Sequence, residues 1–281
     1  MKGSFRAAGL EVRRARESPR PLALCDDPLE AVDRRRSHDH VALNCPLARC
    51  VVYNGLSLAE HAWHPLVQVA TRFLNSGSDD YEGSILQSYY AVWRPAHARE
   101  ALIGAEGGPA VLDSFPAFTY PLPWSEATLR QRAAFMARVI EIENRAFRED
   151  DSLAGDMGYY LHGPASNEKG RLELARLIDV VRSIERSGYR RDREEVTVQI
   201  LQRGDEFRYL VVHGHHRVAA ARALGLDRIP VIPVALIDRR YATHWPGVYR
   251  EEWRTGEALA YFDHLFDFDS RAWANRLGLI D

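Results

Sequence analysis

The stretch from Ser166 to Val234 constrains the 281-residue chain most, because its hydrophobic period changes from helical to strand-like and back within one short region. Ser166 can cap a helix in which Leu174, Leu177, Ile178, Val181 and Ile184 recur at helical spacing, and Gly188 supplies a left-handed stop. Val196, Val198 and Ile200 then alternate with polar neighbours, Gly204-Asp205 marks a turn, and Phe207 to Val212 forms an apolar return strand. A β-hairpin is expected there. His213-Gly-His-His-Arg217 follows, then an alanine-rich helix from Val218 to Leu224, a stop at Gly225, and a buried-looking strand from Ile229 to Val234. This order of elements predicts an α/β module with a mixed sheet.

A turn that joins a strand end to a helix start offers unpaired backbone N–H groups and the positive end of the helix dipole, so it suits an anion. Gly214 lets a ligand approach, Arg217 adds a planar fork matched to phosphate oxygens, and His215 and His216 supply further donors. Four residues of this kind recur in turns by chance; their place between a strand and a helix is what suggests a phosphate cradle. Ligation of a transition metal by His213, His215 and His216 is the poorer reading, because adjacent histidines rarely point at one ion.

From Tyr209 to Val234 the chain resembles the ParB/sulfiredoxin superfamily: glycine-to-arginine box, Ala-Ala helix, Leu-Gly stop and Ile-Pro-Val strand stand in register. The resemblance covers residues 163 to 238. It implies that fold, with a helical N-terminal region and an aromatic C-terminal extension around it, but no single activity. Sulfiredoxins place a catalytic cysteine where this chain has His215, so sulfinic-acid repair is not expected. ParB partition proteins bind CTP through a Gly-Glu-Arg-Arg turn and follow it with a helix-turn-helix DNA reader. Residues 241 to 281 are too few for such a reader, and their four arginines against seven acids disfavour DNA. Free serine kinases are similar in carrying Asp-Gly-His-His-Arg and a catalytic glutamate before the first helix. Here Gly214 to Arg217 are kept, Glu168 stands in that loop, and His213 replaces the aspartate.

The kinase resemblance implies ATP or ADP (or CTP) with Mg²⁺ as cofactor and a small hydroxylated molecule, serine or a sugar, as phosphate acceptor. Glu168 would take the hydroxyl proton or hold the Mg²⁺, His216 would assist transfer, and Gly214, His215, His216 and Arg217 would cradle the phosphates. Ser166 and Lys169 are candidate phosphate contacts at the helix start. Plain readings stand beside these: Ser166 as an N-cap, Glu168 as a first-turn dipole partner, Lys169 as a solvated charge. His213, Trp245 and Tyr249 are candidate substrate contacts. The alternative function is a non-catalytic, ParB-like nucleotide switch for a protein or DNA interaction.

Along the rest of the chain, residues 1 to 36 hold nine Lys/Arg and six Asp/Glu with scattered prolines, and residues 1 to 40 read as a flexible arm. Residues 41 to 155 read as a helical accessory region. Ser57 to Glu60 has the pattern of a capping box before a helix that carries Leu66, Val69, Ala70, Phe73 and Leu74, and a second helix is expected from Ser125 to Arg148. Tyr81, Tyr89, Tyr90 and Trp93 suit a core better than a stacking wall. The module proper spans 156 to 240, and 241 to 281 form an aromatic extension or lid, with Trp245, Tyr249 and Trp253 as candidates for a substrate wall. A net charge of -2 excludes a global field for nucleic acid, and three cysteines without Cys-x-x-Cys spacing suit a reduced, cytoplasmic setting. No membrane segment is expected.

Overall fold

The computed structural model describes residues 23–37, 41–102, 108–145, 159–190 and 195–280. They form a mixed six-stranded sheet and ten α-helices. The strands are β1 (Ala23–Cys25), β2 (Val41–Pro46), β3 (Cys50–Val51), β4 (Thr197–Arg203), β5 (Glu206–His213) and β6 (Arg228–Asp238). Their order across the sheet is β1-β2-β6-β4-β5-β3. The expected hairpin is present: β4 and β5 are antiparallel, with Ile200 opposite Tyr209 and Arg203 opposite Glu206 around the Gly204 turn. β6 returns parallel to β4, and β2 pairs with its other edge antiparallel, Leu43 opposite Val231.

The pairing of β2 with β6 and of β3 with β5 makes residues 41–51 part of the same sheet as the hairpin. The N-terminal region is therefore not an all-helical annex. Residues 23–36, expected within an arm, contribute β1 and α1 (Pro28–Arg36), whose N-cap Asp27 accepts from the N–H groups of Leu29 and Glu30. The rest of the predicted arm, residues 1–22 and 38–40, lies outside the described residues, as do Phe147 and Arg148 of the second predicted helix.

Strand alternation divides the core in two. Val198, Ile200, Tyr209 and Val211 face one cluster, shared with α2 (Pro65–Ser76), α6 (Asn167–Ser187) and α7 (His215–Ala223). Leu201 and Leu210 face the other, with α5 (Leu129–Arg145) and α9 (Thr255–Asp267). Tyr89 and Tyr90 lie in α3 (Ile85–Val92), buried in the first cluster, and Tyr90 donates its hydroxyl to the Tyr160 carbonyl at 2.9 Å. They are core residues.

Two helix starts in the N-terminal half differ from expectation. Ser57 caps no helix: it bridges Val51 and takes the Ala59 N–H on its hydroxyl, while α2 opens at Pro65 behind His64. Pro65, whose fixed φ suits a first helical turn, begins the helix, and the predicted Leu66, Val69 and Ala70 are its buried positions. α5 starts at Leu129 rather than Ser125, with Thr128 Oγ1 accepting from the Gln131 N–H at 3.3 Å. Nothing among the described residues is long and apolar enough to be a membrane-crossing helix.

Candidate functional site

β5 ends on exposed His213, Gly214 takes the left-handed conformation (φ 87°, ψ 28°), and α7 begins at once with His215. The helix therefore starts three residues before the predicted Val218, and His215, His216 and Arg217 occupy its first turn. No side chain caps it. Gly214 is required by the fold itself, because a Cβ there would stand 2.8 Å from Val196 Cγ2.

The turn lines a cleft of about 110 Å³ with Glu143 from α5, Tyr160, and Arg176 and Val180 from α6. Val180 and Arg217 are shared with an adjoining groove of about 250 Å³, bordered by Asp179, Ser183, Ile184, Gly188 and Arg190. The Tyr160 ring lies 5.4 Å from that of His215 and 5.7 Å from that of His216. Arg217 donates to the Arg190 carbonyl and lies over the Tyr189 ring, 4.9 Å from its centre, so the turn is tied to the segment that follows α6.

Behind the cleft is a buried charged chain. Glu173 is wholly buried; its Oε1 lies 2.6 Å from Lys169 Nζ and 3.2 Å from Arg176 Nη1, and its Oε2 lies 2.9 Å from His216 Nε2. Lys169 Nζ also donates to Asn144 Oδ1 at 2.8 Å. Burial pushes the Glu173 carboxyl up, but His216, Lys169 and Arg176 together outweigh it and hold the group well below the usual carboxylate range. Burial raises Glu143, in part offset by Lys169 and Arg176. His215 is pushed down to about 3, first by burial and then by the charges of His216, His64 and His213. Neither of its ring nitrogens has a hydrogen-bond partner among the described residues.

The predicted residues divide accordingly. His213, Gly214, His215, His216 and Arg217 come together at the cleft; Ser166, Glu168 and Lys169 do not line it. Ser166 caps α6, its hydroxyl accepting the Lys169 N–H at 3.1 Å, and Glu168 is exposed in the first turn. Lys169 is neither a phosphate contact nor a solvated charge, because its amine is sealed against Glu173 and Asn144. Trp245 packs edge-on against Trp124 in the second core cluster, Trp253 is buried there too, and Tyr249 is 85% exposed. None of the three lines the cleft.

Sequence reasoning missed Glu143, Tyr160, Glu173 and Arg176. The signal for Glu173 was present: it stands four residues before Leu177 and eight before Val181, in register with the apolar stripe, with Lys169 one turn earlier. Glu143 and Tyr160 carried no such local signal. Among the described residues no three or more His, Cys, Asp or Glu gather to hold a metal. No family model, curated protein or solved structure matches the chain.

Proposed function

We propose that the cleft binds the phosphates of a nucleotide and transfers a phosphoryl group to a small hydroxylated molecule. The observation that carries this reading is His216, set at the uncapped head of α7 with the buried carboxylate of Glu173 at its back. A ring in that position, with Arg176 and Arg217 beside it, would balance the charge that develops on a transferring phosphoryl group. The adjoining groove, with Val180 and Ile184 on its wall, offers an apolar rest for a base or ribose. Mg²⁺ would travel on the phosphates, since Glu143 is the carboxylate lining the cleft and a protein cage is lacking among the described residues. It would supply charge neutralisation.

The resemblance of the Gly214 to Arg217 turn to that of free serine kinases supports the same reading and assigns proton abstraction to Glu168. The geometry favours Glu143, a carboxylate whose burial raises its proton affinity and which faces the cleft. A second reading has its own support: Arg217 links the turn to Arg190 and Tyr189, the coupling that a nucleotide-controlled switch would use.

The test is turnover with ATP, ADP or CTP, Mg²⁺ and a pool of serine, sugars and other hydroxylated metabolites. A phosphorylated product is expected, with Glu143→Gln slowing its formation about 10²- to 10⁴-fold while nucleotide binding persists. Arg217→Ala should weaken nucleotide binding itself. Loss of product in Glu168→Ala but not in Glu143→Gln would return the base to Glu168. Nucleotide binding without product from any acceptor would favour the switch, and no binding at all would remove both readings.

A further inference from the structure

Away from the cleft, two thiols meet inside the sheet. Cys45 lies in β2, between β1 and β6, and Cys50 opens β3 at the sheet's outer edge. A single 3-10 turn, Leu47–Arg49, folds the chain back so that the two Sγ atoms lie 3.6 Å apart, both wholly buried. The third cysteine, Cys25 in β1, points its thiol to the Asp27 carbonyl instead. We infer that Cys45 and Cys50 form a dithiol that peroxide closes to an intramolecular disulfide.

Three features support the step. Bringing the sulfurs from van der Waals contact to a bond of about 2 Å needs only a small rotamer adjustment of residues joined by a short loop. β3 is only two residues long, held by β5 on one side and by the bond from the Leu58 N–H to the Cys50 carbonyl on the other, and Ala48 and Arg49 before it are exposed. A local opening of this short strand therefore uncovers Cys50 before Cys45, which lies in a six-residue strand between two others. Cys45, held between two strands, has its thiol pushed up by burial and by Cys50, which disfavours it as the sulfur that meets peroxide first, and its contact with Cys50 Sγ at 3.6 Å places it for the second step.

In the first step the Cys50 thiolate attacks one peroxide oxygen, the O–O bond breaks, and a sulfenic acid and hydroxide result. In the second, Cys45 sulfur attacks Cys50 sulfur, the S–O bond breaks, and the departing hydroxide leaves as water with a proton. Two thiols and one hydrogen peroxide thus give one disulfide and two waters, both electrons ending on the peroxide oxygens.

Trypsin separates the two sulfurs at Arg49, leaving Cys45 on residues 37–49, Cys50 on residues 50–72 and Cys25 on a peptide ending at Arg34. The native full chain treated with hydrogen peroxide, alkylated and digested is expected to yield 37–49 linked to 50–72, about 2 Da lighter than the two free peptides together. Cys25→Ser should keep the linked pair. Cys45→Ser should abolish it and leave Cys50 reactive toward a sulfenic-acid trap such as dimedone. Recovery of both peptides as alkylated thiols, under conditions that oxidise the urea-unfolded chain, would overturn the inference. So would a predominant link through Cys25.

Discussion

At the scale of single residues, the chain concentrates its electrostatic risk in Glu173. A carboxylate and an amine of no exposure, 2.6 Å apart, are tolerable only as a pair, with Arg176 and His216 sharing the charge. Glu173→Gln keeps the shape and leaves the Lys169 ammonium uncompensated, so a loss of about 3–5 kcal/mol is expected in urea unfolding. Lys169→Met with Glu173→Leu, which removes both charges, should recover much of that loss. An unchanged midpoint in Glu173→Gln would show that the buried chain contributes nothing. The only sequence mark of Lys169 as a buried cation is its spacing of four from Glu173 on the apolar stripe. Its neighbours Ser166 and Glu168 made it look like part of an exposed helix start, and only the face it shares with Glu173 turns it inward.

Elements were legible wherever local chemistry and packing agree. The cap at Ser166, the helix end at Gly188, the β4–β5 hairpin and the return of β6 are all set by short-range periodicity and turn residues, and they stand where the sequence predicts them, although Gly188 (φ 70°, ψ 174°) ends the helix with an extended ψ rather than in the left-handed helical conformation. Helix starts were less legible when a tertiary contact competes with a motif: Ser57 pairs with Val51 across a bridge, so its capping-box pattern is never used. β1 and β3 are only three and two residues long, too short for alternation to register, and owe their existence to the strands beside them. Between β5 and α7 the backbone conformation is obligatory. Gly214→Ala combines a positive φ with a Cβ against Val196, and should cost about 1–3 kcal/mol in chemical denaturation. A stability within experimental scatter of the parent would mean that the turn yields without strain.

Across the whole molecule, the sheet draws strands from both ends of the chain and carries a packed cluster on each face. The candidate site inherits this long-range character: α5, α6 and the β5–α7 turn meet only once the sheet has formed, which is why Glu143 could not be placed from sequence. The same burial gives the fold an acid limit. Burial lowers His64 to about 3, His162 to about 4 and His215 to about 3, so the unfolded chain takes up their protons first. Stability is fully present above about pH 6.5 and falls as the pH drops toward 3, and Glu173, held low, adds to the loss below its ordinary carboxylate range. Urea midpoints measured across this window should decline steadily. His215→Gln should reduce the slope by up to about 1.4 kcal/mol per pH unit; an unchanged slope would mean that this ring does not stay neutral in the folded protein.

The chain has only two lysines, Lys2 and Lys169, and the second is sealed inside the protein. Acylating reagents reach that amine only when the packing around it opens and its contacts with Glu173 and Asn144 break. Its rate of modification is therefore a built-in clock for breathing of α6, readable by mass spectrometry without adding any probe to the chain.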